Sequence, residues 1–495
     1  MNLRTLIRAA LAAALFAPLA GCKHAETKKV APEPVGAPDA PFRAQRPQPS
    51  GELHFTPPTP QQMKLKNGLV VYTVERHDLP LVAVNLVVRT GRDGDPADKQ
   101  GLAAFTADML DEGAKGMDAP QIAASFEDLA IQYNEEVESG ITSVGFNTLS
   151  QNLDQALTVF GTVVLHPTFT EKDLERVRGE RLAAYTAAHD DPSEIARDVL
   201  VRSLYGEKSP LGAPREGTIE GIKALKKSDL SKFHDAWYVP SNSALIVVGD
   251  IKPADLKPML EKHLGTWKDK KVKAVKLPEP PAAGARSVLF VDKPGAPQSQ
   301  IWVGQLEFAA KDPDREAFTI MNDIFGGLFS SRVNLALREG KGWSYGVYSF
   351  PMWNRFTSTW AVAGGFVADH SSDALGILTK LIDDLHNGEV TDAELAAARD
   401  AEVRSLSGYF ESNASTSAQL ARLIAEDLPI DYFSTVQQKF SAVTAADVKR
   451  VAQARLEPGK MTIVVVGPKA EQADKISALN VGKLDLRDES GKPAK

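Results

Sequence analysis

The side chains that could hold a metal ion are scattered along this chain. Catalytic zinc is usually held by three protein ligands, with a fourth position left open for water or substrate. The chain has one cysteine and nine histidines, and no two histidines lie within four residues of each other. The histidines are His24, His54, His77, His166, His189, His234, His263, His370 and His386. Local spacing therefore predicts no metal site, and the alternative is a long-range assembly, for example of His189 and Asp190 with Asp108.

Arg338 and Tyr345 form a second candidate group. They lie seven residues apart in LREGKGWSYGVYS, where Gly340 and Gly342 allow a tight turn between them. Arginine carries fixed donors that suit a carbonyl oxygen, and a tyrosine hydroxyl can donate to an oxyanion. The structural alternative is that Arg338 lies at a helix C-terminus, where its charge is favourable, and that Tyr345 is an interior strand residue.

The segment GLAAFTADMLDEG, residues 101–113, predicts the start of an amphipathic helix. Ala104 and Asp108, four residues apart, share one face of this helix. Apolar residues at helical spacing form another face, which we expect to pack on the core; they are Leu102, Phe105 and Met109. The face with Ala104 and Asp108 could present a pair of metal ligands, yet it carries no histidine.

The composition is typical of a globular protein with more than one domain. A chain of 495 residues is too long for one ordinary core, so two domains of about 200 residues each are expected. Apolar residues make up 43% and charged residues 24% of the chain, and no apolar run is long enough to predict a membrane span. A net charge of −7 without basic clusters argues against nucleic acid as a partner. A single cysteine excludes an internal disulfide.

The N-terminus has the pattern of an export signal. Arg4 and Arg8 precede a short apolar stretch that ends in small residues. Cys22 lies in LAGC, which resembles the bacterial lipoprotein box. The pattern predicts removal of residues 1–21 and lipidation of Cys22, which would anchor the protein to the periplasmic face of the outer membrane, as Lys23 favours. The alternative is an ordinary signal peptide whose cysteine is incidental.

An internal repeat divides the rest of the chain into two similar halves. Asp229, Pro240 and Gly249 each match a residue 218 positions later, in segments that read as a helix, a proline-bounded turn and an apolar strand. The matching residues are Asp447, Pro458 and Gly467. The repeat predicts two copies of one α+β unit, preceded by a proline-rich spacer. The expected segments are the spacer 22–61, a first unit 62–270, a linker 271–285, a second unit 286–480 and a polar tail 481–495.

Four segments together resemble the pitrilysin, insulysin and mitochondrial processing peptidase family of zinc peptidases. They are LKNGLVVYTVERHDLPLVAVNLVVRTGRDGDPADKQGLAAF, LHPTFTEKDLERVRGERLAAYTAAHDDP, FGGLFSSRVNLALREGKGWSYGVYS and SAVTAADVKRVAQARLEPGKMTIVVVGP. The resemblance extends over both halves of the chain. It implies an α+β fold of two homologous α/β-sandwich domains, each a mostly antiparallel sheet flanked by helices, which together form half of a clamshell.

The zinc site of that family is altered in this chain. Catalytic members carry His-x-x-Glu-His on the helix described above, where the histidines bind zinc and the glutamate polarises its water. Those positions are Ala104, Ala107 and Asp108 here, and the third zinc ligand, a glutamate, falls on Ala184. The resemblance therefore implies that this chain binds no metal or other cofactor of its own.

Other residues match substrate-binding positions of the family. In the resembled enzymes an arginine and a tyrosine at the spacing of Arg338 and Tyr345 reach from the half without zinc to the substrate. Gly326 and Gly327 are further candidates for substrate contact. Asn134 matches the asparagine of an edge strand that pairs with the substrate backbone, although the acidic residues that follow it fit a solvated strand equally well.

These features predict a non-catalytic subunit of a heterodimeric zinc peptidase. A homologous partner would hold the zinc ion, this chain would contribute Arg338 and Tyr345, and the pair would cleave peptides in the bacterial cell envelope. On its own the chain is not expected to be an enzyme. Two alternatives stay open, namely a scaffold protein and a free-standing peptide-binding protein.

Overall fold

The computed structural model describes residues 55–494. The predicted signal peptide, Cys22 and all but the end of the predicted spacer lie outside these residues. The described residues form two six-stranded sheets and a two-stranded ribbon. The strands are β1 Gln61–Lys64, β2 Val70–Glu75, β3 Leu81–Val88, β4 Gly113–Ala114, β5 Met117–Asp118, β6 Gln132–Val137, β7 Thr142–Leu149, β8 Ser243–Gly249, β9 Ser287–Asp292, β10 Gln298–Glu307, β11 Ser344–Met352, β12 Ser358–Val367, β13 Thr462–Gly467 and β14 Lys483–Arg487.

Helices flank both sheets. They are α1 Leu102–Asp108, α2 Ala119–Asp128, α3 Leu153–Leu165, α4 Glu171–Ala188, α5 Pro192–Tyr205, α6 Ile219–Ala224, α7 Lys227–Trp237, α8 Pro253–Leu264, α9 Arg315–Asn322, α10 Arg332–Asn334, α11 Ser371–Asn387, α12 Asp392–Tyr409, α13 Asn413–Ala425, α14 Phe433–Ala442, α15 Ala445–Arg455 and α16 Lys469–Ala478, with π-helical turns at Asp323–Gly327 and Leu335–Glu339. Several helices begin at a side chain that accepts a first-turn backbone N–H, which stabilises the helix start; examples are Thr170, Thr391 and Thr444. None of the helices in residues 55–494 has the length and hydropathy of a membrane span.

The two large sheets have the same strand order, which confirms the predicted repeat. The first sheet runs β6-β7-β3-β8-β2-β1, and the second runs β11-β12-β10-β13-β9-β14. In each sheet the strand that ends in the repeated glycine, β8 or β13, is buried along its whole length. Each of these two strands is parallel to one neighbour and antiparallel to the other. Most strand pairs are antiparallel, so the predicted α+β class with two homologous units is confirmed.

The two sheets differ at their last strand. β1 precedes the first repeat and pairs antiparallel with β2, whereas β14 follows the second repeat and pairs in parallel with β9. β14 lies in the segment predicted as a polar tail, so the second sheet extends beyond residue 480. Residues 271–284, within the predicted linker, form neither helix nor strand.

Each half of the chain contributes a helix to the sheet of the other half. α5, from the first half, packs on the second sheet, where Leu200 and Trp302 belong to one buried cluster. α13, from the second half, packs on β3 and β8 of the first sheet, and Asn413 at its start donates from Nδ2 to the carbonyl oxygen of Leu81 at 3.0 Å. Apolar residues of both halves consequently share one core. The duplicated architecture therefore lies within one compact unit, Leu53–Lys495.

Candidate functional site

α1 carries three of the four altered zinc positions, and its N-terminus is fixed by a buried carboxyl group. Asp95 accepts hydrogen bonds from the backbone N–H groups of Gly101 at 2.7 Å and Ala103 at 2.8 Å, donors that have no partner within the helix itself. Burial raises the pKa of the Asp95 carboxyl to about 7. Ala104 is 6% exposed and Ala107 is fully buried. The predicted helix is present, and its apolar residues lie in the core as expected.

Asp108, at the second histidine position, is bound by an arginine. Arg181 of α4 donates from Nε to Asp108 Oδ2 at 2.6 Å and from Nη2 to Asp108 Oδ1 at 3.0 Å. Its Nη1 donates to the carbonyl oxygen of Glu216 at 3.0 Å. Ala184, the third ligand position, lies on α4 one turn after Arg181. An ion pair therefore joins the two helices that carry the altered zinc positions.

The altered site does not fit a zinc ion. The alanines at three of its four positions have no side-chain lone pair, and both carboxylate oxygens of Asp108 are bound to a positively charged guanidinium. In residues 55–494 no group of three or more histidine, cysteine, aspartate and glutamate side chains could hold a metal ion. The long-range alternative is therefore not formed, and the His189 ring instead stacks on Tyr185 with the ring centres 3.9 Å apart.

Acidic side chains surround the Asp108–Arg181 pair. Partial burial, together with the carboxylates of Asp111 and Asp108, raises the pKa of Glu135 on β6 to about 7. Burial raises the pKa of Asp111 to about 6. The guanidinium of Arg181 therefore offsets repulsion within this group. Sequence analysis limited to the motif positions does not identify Arg181. Its position one turn before Ala184 on α4 is the pattern that could have identified it.

β6 lies at the edge of the first sheet, as predicted for the strand that contains Asn134. Among the described residues it pairs with β7 alone. Side chains alternate between the two faces of a strand. Glu135 lies near Asp108, whereas Asn134 and Glu136 line a cavity on the opposite face of the sheet. The structure therefore does not bring the Asn134 side chain together with the altered zinc positions.

Arg338 and Tyr345 lie in the second half of the chain. Arg338 belongs to the π-helical turn Leu335–Glu339. Its guanidinium carbon is 4.5 Å from the ring centre of Phe329, and its Nε is 3.4 Å from Oε1 of Glu339. Tyr345 lies on the edge strand β11 and is 88% exposed. The alternative that Tyr345 is an interior strand residue is therefore wrong.

Large apolar side chains are exposed next to this pair. Phe329 is 54% exposed and Leu335 is 48% exposed. We name Phe329, Leu335, Arg338 and Tyr345 the Arg–Tyr surface. The register of β11 against β12 shifts at Tyr345, which releases this residue from regular pairing. β11 is the counterpart of β6 in the duplicated fold, so Tyr345 and Asn134 both lie on edge strands at the corresponding side of their sheets.

Gly326 and Gly327 have a packing role in the π-helical turn Asp323–Gly327. A Cβ at position 326 would lie 2.5 Å from the backbone nitrogen of Ser349, and a Cβ at position 327 would lie 2.3 Å from Oδ1 of Asp323. The contact at position 326 is with backbone and leaves no room for a side chain, whereas the contact at position 327 is with the ends of side chains that would have to shift. Close packing therefore explains Gly326, and the contact of both glycines with substrate stays a prediction.

Two family models match consecutive parts of the chain. The model described as Insulinase (Peptidase family M16) matches residues 70–218, and the model described as Peptidase M16 inactive domain matches residues 224–402. The chain belongs to peptidase family M16. The resemblance found in the sequence is thereby confirmed.

Individual relatives agree with this assignment. The "Uncharacterized zinc protease YmxG" of Bacillus subtilis (strain 168) is 24% identical over 386 residues, which cover 78% of this chain and 92% of that protein. The "Non-peptidase homolog YmxG" of Helicobacter pylori is 24% identical over 416 residues, which cover 83% of this chain and 94% of that protein. The solved structure of a peptidase M16 inactive domain from Pseudomonas fluorescens is 27% identical, with a TM-score of 0.76 over 83% of this chain and 98% of that one. With its altered zinc positions, this chain is an inactive member of the family.

Proposed function

We propose that this chain is the non-catalytic subunit of a heterodimeric zinc peptidase of family M16. The partner is a homologous chain with an intact zinc site, and this chain contributes Arg338 and Tyr345 to peptide substrates bound there. One contrast carries the proposal. The zinc positions of the first half are filled by alanine and an ion pair, whereas Tyr345 of the second half is 88% exposed and serves no core.

The side chains of the Arg–Tyr surface suit a substrate bound by another chain. The hydroxyl of Tyr345 is free to donate to the oxyanion that develops when water attacks a peptide carbonyl. The guanidinium of Arg338 lies against the ring of Phe329 and can donate to a substrate carbonyl oxygen. Exposed apolar side chains next to polar ones are typical of an interaction site. The partner supplies the metal, and this chain supplies hydrogen-bond donors.

The proposed place of action is the cell envelope. The export signal ends at Cys22 in LAGC, which would tether the mature chain to the periplasmic face of the outer membrane by a lipid. The proline-rich spacer that follows would hold the folded part away from the bilayer surface. Peptides of the periplasm are accordingly the proposed substrates.

A pull-down tests the pairing. The tagged protein is recovered from an envelope extract of its source organism, and both the eluate and the purified chain are assayed for zinc and peptide cleavage. We expect a co-eluting homologue that carries His-x-x-Glu-His, with zinc and activity in the pair and neither in the isolated chain. Cleavage by the isolated chain, or the absence of such a homologue from the eluate, would contradict the proposal.

Two tyrosine variants test the role of the Arg–Tyr surface. Tyr345→Phe removes one oxyanion donor and should lower turnover of the pair by about 10²-fold or more, with assembly and zinc content unchanged. Tyr348→Phe is the matched control, because Tyr348 lies on the same strand, is 41% exposed and is not part of the surface. Equal turnover of both variants and the parent pair would favour the scaffold alternative.

A further inference from the structure

The Arg–Tyr surface draws on two separate segments of the chain. Phe329, whose ring centre is 4.5 Å from the guanidinium carbon of Arg338, precedes the short helix α10. Tyr345 lies on β11, which follows the π-helical turn that carries Arg338. Both α10 and this π-helical turn pack on β11. The proposed chemistry needs the two segments at fixed positions, so a contact that joins them has a direct bearing on it.

The side chain of Asn334 makes such a contact. Asn334 is the last residue of α10 and is fully buried. Its Nδ2 donates to the carbonyl oxygen of Phe329 at 2.7 Å, and its Oδ1 accepts from the backbone N–H of Val347 at 3.3 Å. One carboxamide therefore joins the residue that contacts the Arg338 guanidinium to the strand segment that carries Tyr345.

Val347 lies directly after the irregular part of β11. The pairing of β11 with β12 shifts between Ser344 and Val347, and a shift of this kind re-aims the side chains within it. The hydroxyl of Ser344 accepts from the backbone N–H of Gly346 at 3.1 Å and donates to the carbonyl oxygen of the same residue at 2.9 Å. Asn334 holds the other end of the irregular part through Val347. These contacts fix the backbone on both sides of Tyr345, whose side chain remains exposed.

Packing alone does not explain an asparagine at position 334. The nearby helical residues Val333 and Leu337 are also fully buried, and both are apolar. Burial of a carboxamide costs free energy unless its donor and its acceptor find partners, a requirement that an apolar side chain of similar size would not have. The two hydrogen bonds of Asn334 are directional, so they favour one arrangement of the segments that they join.

We propose that Asn334 is a positioning residue for the Arg–Tyr surface. It fixes Phe329, and through the ring of Phe329 the guanidinium of Arg338, relative to the backbone that presents Tyr345. Asn334 is itself buried and acts only through these neighbours. Its role in catalysis rests on the proposed function, whereas the fixed arrangement is a property of the isolated chain. The two parts of the proposal can therefore be tested separately.

Fluorine NMR on the full-length protein tests the arrangement without a partner chain. The probe is 4-fluorophenylalanine in place of Phe329, and Arg338→Met gives the reference resonance of the ring without the guanidinium. We expect Asn334→Ala to shift the resonance toward this reference, because the ring loses its fixed place against Arg338. Asn354→Ala is the matched control, because Asn354 is a buried asparagine in the β11–β12 turn, where its Oδ1 accepts from the backbone N–H of Phe356 at 2.8 Å. An unshifted resonance in Asn334→Ala, or an equal shift in the control, would overturn the proposal.

Turnover of the proposed pair tests the role in catalysis. Asn334→Ala should lower kcat by about 10-fold or more, because small losses of alignment at a reacting centre have large effects. In the Tyr345→Phe background the same change should lower kcat much less. A merely structural role would reduce the folded fraction, and with it turnover, by one factor in both backgrounds, and that result would overturn the role in catalysis.

Two further outcomes are distinguishable. If Tyr345→Phe itself leaves turnover unchanged, the proposed function fails, and the fluorine resonance still decides whether Asn334 holds the ring of Phe329. Should Asn334→Ala fail to fold, Asn334→Ser replaces it, with the same expected directions in both measurements.

Discussion

The Asp108–Arg181 pair offers the sharpest test of how this fold tolerates the loss of a metal site. The perturbation is a double-mutant cycle of Asp108→Asn and Arg181→Met. Methionine keeps much of the length and apolar volume of arginine but removes its charge and its donors. The cycle measures how strongly the two side chains depend on each other, separately from what each does alone.

The expected size follows from the geometry. The pair is bidentate, at 2.6 and 3.0 Å, and the side chains of Arg181 and Asp108 are 13% and 32% exposed. Hydrogen bonds to charged groups contribute about 1.5–3 kcal/mol each. Because Asp108 is partly exposed, water screens the pair, and we expect a smaller coupling energy of about 1–2 kcal/mol. Arg181→Met also removes the hydrogen bond to Glu216 and the counter-charge for the neighbouring acids. That variant should therefore cost about 2–4 kcal/mol in all.

Urea denaturation at neutral pH measures both quantities. Arg176→Met is the control on the same helix, because the Arg176 side chain is 45% exposed, although one of its two partners, Glu112, is only 19% exposed. Water screens an exposed guanidinium, so the control should lose less stability than Arg181→Met. Strict additivity of Asp108→Asn and Arg181→Met, or equal losses for Arg181→Met and Arg176→Met, would refute the claim that this ion pair holds the altered site together.

Three further predictions follow from the described residues. Burial raises the pKa of Glu307 from 4.5 to about 8, so the native state retains a proton that the unfolded state releases, and the free energy of unfolding should fall as pH rises from about 5 to 8. Denaturation curves of Glu307→Gln should show a smaller fall over this pH range. An unchanged dependence of stability on pH in this variant would contradict the prediction. The variant that restores all four zinc positions should bind zinc weakly in a chelator competition, because the Arg181 guanidinium lies beside the restored site. Adding Arg181→Gln should raise the affinity for zinc. An unchanged affinity would contradict the role of the Arg181 charge. Leu200, from the first half, is buried against the second sheet, so Leu200→Ala should cost about 2–4 kcal/mol and speed amide exchange in both sheets; exchange confined to one sheet would show that the halves unfold separately.

The sequence was sufficient for the duplicated fold, because its signals are local. Gly249 and Gly467 end apolar strands that occupy the same place in the two sheets, and the helix pattern that begins at Gly101 needs no knowledge of the partner element. Long-range pairings carry no such signal. Asp108 and Arg181, for example, are separated by a strand-rich segment and two helices. Hydrophobic periodicity likewise shows that α5 has a buried face, but it does not show which sheet covers that face.

The same limit applied to the candidate site. Spacing predicted Arg338 and Tyr345 as a pair. In the structure the π-helical turn that carries Arg338 packs on β11, and Tyr345 of β11 is exposed; their joint role in substrate binding stays a prediction. The cavity between the first sheet and the helices of the second half could not be anticipated, because Asp323, Glu402 and Ser417 line it from three separate elements and meet residues of the first sheet through α13. A polar residue inside an amphipathic helix reads as solvent-exposed until the neighbouring element is known.

The two similar halves of the chain carry different side chains at their corresponding edge strands. The two sheets have the same strand order, so β6 and β11 are corresponding edges. Near β6, Arg181 supplies the positive charge that offsets Asp108. On β11, Tyr345 is 88% exposed, and Phe329 beside Arg338 is 54% exposed. Exposed apolar surface costs free energy in water, and such a surface is typical of an interaction site. Under the proposed function, the partner that covers it is a zinc-bearing homologue with a peptide in its site.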